Sequence, residues 1–466
     1  MRRILSHGEE DLRNSKKNVA RFSGSTYPRY PKGTTAEGAS PISTHDYMST
    51  SKVHRGTFLV LAATLACFYP HFAWADGEEM AVSSTESTTT EDFGTGIFSR
   101  FPLQVSASVR GGYDDNITAS NFNKQGSWFT NAGVALKYNF GSPRTRLSLE
   151  TVAGLTYYWD QPSDEGTGND EYRPNLNLRL SLSHKASPRM TLEASVYATY
   201  QSEPDFTLAQ GLSRRTGNFF FTQDQFSVAY LWTPRFSTAT SYTFGAVKYD
   251  DSAIGFFQDR IENTFGNQFR FLIWPTTTVV GEYRFQVVTY DDIARDSTTH
   301  FILAGFDHKF NTRLHASVRG GAEFRDYENS GSQESPYFEG ALTYALGKDT
   351  SITWSNRYGI EESDALLNPG RKTFRTGLQA SHALTSRISG TLGAFYQHDD
   401  YFGAVTPTSA SGSFIEEAFD IALSLRYAIT RNFGLEAGYS HTEVTSDVSL
   451  REYSRNRVWA GLNLSF

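Results

Sequence analysis

The end of the chain alternates strictly. Val458, Ala460, Leu462, Leu464 and Phe466 form one apolar set, and Trp459, Gly461, Asn463 and Ser465 fall between them. Period two over this length, with the second face small or polar, describes a strand set between lipid and water. Strands of soluble proteins average about five or six residues, so a run this long is unusual for one. An apolar strand ending on Phe is the hallmark of bacterial outer-membrane β-barrels, in which Phe466 would act as the signal read by the barrel-assembly machinery.

The same alternation recurs from Phe101 onward. Leu176, Leu178, Leu180 and Leu182 alternate with Asn177, Arg179, Ser181 and Ser183. Phe419, Ile421, Leu423, Leu425 and Tyr427 alternate with Asp420, Ala422, Ser424 and Arg426. Charged residues keep to one parity, as a lipid-facing wall requires. Tight turns such as Ser187-Pro188-Arg189, Thr233-Pro234-Arg235 and Asn311-Thr312-Arg313 join the segments at one end, where Pro and small polar residues reverse the chain. Longer polar loops join them at the other end, near 115–125, 160–170, 203–218, 251–257, 291–295, 327–333, 363–370, 401–414 and 447–451. Eight turns and nine loops separate about eighteen strands. The pattern predicts an all-β fold, a transmembrane antiparallel β-barrel of about 18 strands over residues 101–466. One stretch is ambiguous: His300, Ile302, Ala304 and Phe306 compete with Phe301, Leu303 and Gly305 for the apolar side. Aromatic residues gather near strand ends, Tyr157, Tyr158 and Trp159 by a loop and Tyr230, Trp232 and Trp274 by turns, as two interfacial girdles would.

Hydrophobic residues make up 39% of the 466, and mean hydropathy is -0.44. A barrel wall tolerates this, because it needs an apolar residue only at every second position. A net charge of -7 and the lack of any basic-aromatic motif argue against nucleic acid as a partner. The one helix-like apolar run, Gly56 to Trp74, follows Lys52, His54 and Arg55 and ends in Ala73-Trp74-Ala75. Residues 48–75 therefore read as a secretory signal peptide cleaved before Asp76. Residues 1–47, upstream of Met48, read as a non-native or unstructured extension, and the acidic, Ser/Thr-rich residues 76–100 as a disordered periplasmic lead-in. The single cysteine, Cys67, falls in the signal segment, so the mature chain would have no thiol or disulfide chemistry. The expected location is the outer membrane, among lipid and lipopolysaccharide.

On the polar parity the lumen would carry Arg110, Arg146, Arg179, Arg270, Arg284, Arg319, Arg357, Arg375, Arg426 and Arg457, with Glu150 and Glu282 among the acids. Basic groups slightly outnumber acids on that parity, so a field favouring anions is one reading. The plainer one is that mixed-sign ladders pair across neighbouring strands and merely solvate the wall. Tyr-Asp-Asp occurs three times where a strand enters a loop, which would set Asp114, Asp115, Asp250, Asp251, Asp291 and Asp292 around the outer mouth. There they would either hold divalent cations that bridge lipopolysaccharide or, more simply, solvate the strand exits. The spacings predict no metal, no cofactor and no catalytic residue, because GxSxG, HExxH and phosphate-loop patterns are absent from the barrel. Ser183-His184, Ser381-His382 and Ser440-His441 are adjacent in strands, which points each pair to opposite faces.

The first of the acidic exits reads Tyr113-Asp114-Asp115-Asn116-Ile117, after Val109-Arg110-Gly111-Gly112. Here the sequence resembles the type 2 β-barrel porins, a family of outer-membrane barrels with such an exit on the first strand. The resemblance is local in motif and global in layout, from Phe101 to Phe466. The barrel reading makes the chain a porin or channel for hydrophilic solutes. Members of the family often accompany exopolysaccharide production, which implies as an alternative an export conduit for an acidic exopolysaccharide. A closed structural or surface-binding barrel, or a hydrolase with its site at the rim, is the reading from a different class.

Overall fold

The computed structural model describes residues 103–122, 124–160, 172–203, 217–347, 349–366, 368–403 and 412–466. The expectations for residues 1–47, 48–75 and 76–100 lie outside them. Eighteen strands follow one another in hairpins, beginning with β1 (Leu103–Asp114), β2 (Ser127–Gly141), β3 (Thr145–Tyr158), β4 (Tyr172–Ser187), β5 (Met190–Gln201) and β6 (Phe219–Thr233). Then come β7 (Phe236–Tyr249), a short helix α1 (Ser252–Gln258), β8 (Arg260–Trp274), β9 (Thr277–Tyr290), β10 (Ser297–Lys309), β11 (Leu314–Tyr327) and β12 (Gly331–Leu346). The last six are β13 (Thr350–Glu362), β14 (Gly370–Ala383), β15 (Ile388–Phe402), β16 (Phe414–Ala428), β17 (Phe433–Ser446) and β18 (Tyr453–Ser465). Each pairs antiparallel with its neighbours in sequence, and β18 pairs with β1, so the sheet closes on itself. Closure leaves no strand edge facing lipid, where unpaired backbone groups would find no water.

The terminal residue completes the seam. The Val105 N–H donates to the Phe466 carbonyl at 3.1 Å, and the Phe466 N–H donates back at 2.8 Å. A Cβ on Gly461 would stand 2.4 Å from the Val109 carbonyl oxygen, so the seam admits only glycine there. Val458, Leu462 and Leu464 face out and are exposed, while Trp459 turns in and packs on Ile117, Phe129 and Tyr158. The ambiguous stretch in β10 resolves the same way. Ile302 is 61% exposed, whereas Phe301 and Leu303 are buried on the inner side against Tyr337. Apolar residues on both faces of β10 blurred the alternation there.

Two segments leave the wall and enter the lumen at the loop end. After β1 the chain folds inward, burying Ile117 and Ala119 completely or nearly so. Ala119 packs on Ala418, Val444 and Tyr453, at a left-handed φ of 48° that a non-glycine residue rarely takes. The second segment is the tip of the β13–β14 hairpin. Pairing between β12 and β13 runs from Leu346 and Thr350 only as far as Phe338 and Tyr358. Beyond that point β13 bends inward at Gly359, and the Ile360 N–H donates to the Glu323 carboxylate on the inner face of β11. A Cβ on Gly359 would lie 2.8 Å from the Tyr337 ring, so the bend needs a residue without one.

Candidate functional site

The interior at the loop end is filled with buried ion pairs, gathered in two sets. Asp114, fully buried at the end of β1, takes the Arg455 Nη2 at 2.5 Å and its Nε at 3.0 Å, with the Arg457 Nε at 3.1 Å. Glu203, just past β5, takes Arg455 at 2.5 Å and Arg173 at 2.9 Å. Arg173 also donates to the Ile117 carbonyl at 3.0 Å, which ties the inward loop to β4. Burial by itself would raise the Glu203 pKa, but the guanidiniums of Arg455, Arg457 and Arg173 outweigh it and hold the carboxyl well below its ordinary range. Asn116 fixes the turn of that loop, donating from Nδ2 to the Ser120 carbonyl at 2.9 Å and the Ser454 carbonyl at 3.0 Å.

The β13–β14 tip is bound from two directions. Arg295, between β9 and β10, donates to the carbonyls of Phe257, Ser363, Ala365 and Asn368 at 2.6–3.3 Å. Gln258 adds a bond to the Ser363 carbonyl at 3.2 Å, while Arg325 and the Tyr290 hydroxyl hold Glu362 at 2.5 and 2.7 Å. On the far side Arg451, between β17 and β18, reaches Asp364 at 2.9 Å and Glu416 at 2.6 Å. Arg295 and Arg451 are eight strands apart in an eighteen-strand closed sheet, close to opposite walls. A segment bonded to both lies across the lumen.

The residues anticipated for the lumen fall into two groups. Arg270 pairs with Asp307 at 2.9 Å, and Arg319 shares that acid at 2.8 Å and approaches Glu282 at 3.8 Å. Arg284 lies between Glu282 at 2.6 Å and Glu339 at 2.5 Å. Arg357 is 3.6 Å from Glu361, and Arg375 is buried over the Phe395 ring. With Arg457 these are locked into the wall. The second group keeps more exposure: Arg146 and Arg426 stand near the turn end, and Arg110 and Arg179 nearer mid-strand. Arg110 stacks on Trp459 and pairs with Glu436 at 2.8 Å, yet 37% of its side chain is exposed, against 1% for Arg319. Arg146 and Arg426 are exposed, the latter donating to Asn463 at 2.9 Å. Arg179 is partly exposed beside the Tyr197 ring, and Glu150 stands in the ladder between Lys137 and Arg179. The accessible cations thus form an arc on β16, β1, β3 and β4.

The six acids at the strand exits do not share one environment. Asp114 is corrected: the strand ends with its parity inward, so it belongs to the buried network and not to the rim. Asp115 receives the N–H and Nδ2 of Asn456, and Asp251 caps α1 by accepting the Ala253 N–H. Asp250 accepts the Tyr200 hydroxyl, Asp291 pairs with Lys248 at 2.9 Å, and Asp292 is exposed. No cluster of metal-ligating side chains occurs among the described residues. The Ser–His neighbours are split as strand geometry demands. Their histidines turn outward to Thr145, Thr350 and Asn456, and Ser381 turns to Ser351. Arg173, Arg260, Arg371 and Arg455 were absent from the expected lumen set, although period two places them on the parity of Arg179, Arg270, Arg375 and Arg457. Arg295 and Arg451 lie in loops, where no period marks them.

A sheet closed with charge inside and apolar residues outside agrees with the sequence comparison. The family model described as Putative beta-barrel porin 2 matches residues 96–466. The chain belongs to this family. Among solved structures, this porin is similar to the outer membrane protein opdK from Pseudomonas aeruginosa, at 12% identity over 78% of this chain and 99% of that one, with a TM-score of 0.40. It is also similar to a BenF-like porin from Pseudomonas fluorescens Pf-5, at 11% identity over 78% and 99% of the two chains, with a TM-score of 0.42. No curated protein sequence matches it. The porin is an outer-membrane β-barrel, and both family and fold point to a channel and away from an enzyme.

Proposed function

We propose that this porin conducts hydrophilic solutes with a preference for anions, and that the exposed basic arc does the selecting. The supporting observation is the division of the arginines. Arg270, Arg284, Arg319 and Arg457 are shut against acids, whereas Arg110, Arg146, Arg179 and Arg426 keep exposed surface, Arg110 even while it pairs with Glu436. In a narrow channel with low-dielectric walls, a few accessible charges of one sign focus the field and raise the local concentration of counter-ions. The turn end faces the periplasm in outer-membrane barrels, so Arg146 and Arg426 stand where a solute leaving the cell enters. Export of an acidic exopolysaccharide is the second reading, and the place of Arg146 and Arg426 at the turn end is what supports it.

Reversal potential across a salt gradient in planar bilayers tests the first reading. Anion preference is expected, and its loss on combining Arg110→Gln, Arg146→Gln, Arg179→Gln and Arg426→Gln. A cation-selective wild-type channel would refute it. A soluble polyuronate added to the turn side alone should block the current if the pore exports acidic polymer. Equal block from both sides would favour a simple anion porin.

A further inference from the structure

The lipid-facing wall is apolar along β4 and, on their turn halves, along β16 and β18. Glu417 and Asn456, nearer the loop end of those two strands, are already paired with His398 and His441. On β6 to β8 polar residues reach mid-strand. On β8 the outward residues from the turn end are Ile273, Phe271, Phe269, Asn267, Phe265, Asn263 and Ile261, so Asn267 is the fourth of seven. A tilted strand crosses the hydrocarbon in about 9–11 residues, which sets Asn267 near mid-membrane. Its outward ladder partner is Thr240 of β7, whose hydroxyl lies 3.4 Å from the Asn267 Oδ1. Tyr242 donates to the Asn263 Oδ1 at 2.8 Å, and Asp224 of β6 lies in the same ladder row as Asn263, separated by Phe244. The polar pair Asn356 and Thr376 on β13 and β14 is different. It stands alone between apolar rows, and Trp354 already donates to the Thr376 hydroxyl at 2.9 Å.

We propose that the β6–β8 face is the interface through which two copies of this chain associate side by side in the membrane. A carboxamide held in hydrocarbon without a full set of partners is costly, and a neighbouring protein surface is the only source of partners at that depth. A second copy fits for a geometric reason. Two copies in one membrane are related by an axis along its normal, which preserves depth. Asn267 and Thr240 then meet the same pair of the other copy, and a carboxamide, being both donor and acceptor, is complementary to itself. The same axis brings β6 of one copy against β8 of the other, where Asp224 and Asn263 add polar groups to the contact. Phe226, Phe265 and Phe269 supply the apolar remainder of the contact.

Cysteine cross-linking in intact outer membranes tests this in a Cys67→Ser background. Thr240→Cys, close to the axis, should oxidise to a band of twice the chain mass. Leu423→Cys, exposed on the opposite wall, should stay monomeric. No dimer from Thr240→Cys, or an equal yield from both, would overturn the proposal. Native mass spectrometry in detergent gives the second reading: Asn267→Leu should lower the dimer fraction at least tenfold while the heat-modifiable mobility of a folded barrel is kept. An unchanged fraction would also overturn it. If Asn267→Leu fails to fold, the cross-linking comparison decides by itself.

Discussion

One motif, Tyr-Asp-Asp, serves three different ends in this barrel, and the difference lies in what each carboxylate faces. Asp114 is gripped by Arg455 and Arg457 with no solvent access, whereas Asp292 of the third copy is exposed. Breaking a buried pair by removing one partner costs about 3–5 kcal/mol, while an exposed surface carboxylate contributes about 0–1 kcal/mol. Asp114→Asn should therefore lower the urea midpoint of the folded barrel sharply, and Asp292→Asn should leave it unchanged. Glu203 gives a pH dependence of known sign. Its pKa is depressed in the folded state, so it stabilises the barrel above the ordinary carboxylate range and loses that contribution as pH falls through the lower folded value. Urea midpoints of wild type and Glu203→Gln should differ at neutral pH and converge in acid. A constant difference would show that the Glu203 charge does not stabilise the fold.

At the scale of elements, the strands were legible because lipid imposes period two on every one of them. All eighteen strands follow from that rule. It blurs where apolar residues pack inward, as in β10, where Phe301 and Leu303 meet Tyr337 while Ile302 and Phe306 meet lipid. It blurs also where polar residues face out, as Asn267 does on β8. The inward segments were not legible. Nothing in the loop after β13 marks it as a crossbar, since on one side its bonds are backbone carbonyls taken by Arg295, 68–73 positions away, and on the other Asp364 meets Arg451, 87 positions away. Gly359 is the exception in hindsight: a glycine inside an alternating strand marks a close backbone approach, here to the Tyr337 ring. Gly359→Val should keep β13 from turning in, and Arg295→Ala should free the tip from the β9–β10 side. Both are expected to raise single-channel conductance. A conductance equal to wild type in both variants would mean that the tip does not limit flow.

Across the whole molecule, charge is distributed by function of place more than by count. Most inward arginines spend their charge on structure, so a tally of lumen arginines from the sequence could not separate those that meet solute from those that meet acids. Arg319 and Arg110 look alike in the alternation, yet one is shut between Glu282 and Asp307 and the other opens to the lumen. Exposed charges are screened by salt and buried pairs much less, with a Debye length of about 10 Å at 0.1 M and about 3 Å at 1 M. Anion preference carried by the exposed arc should therefore fall toward unity as the bath is raised from 0.1 to 1 M salt. Conductance divided by bath conductivity should change far less, because the locked network that shapes the passage keeps its geometry. Permeability ratios measured at several concentrations check this. A ratio that held constant would place selection within the buried network, to which neither Arg146 nor Arg426 belongs.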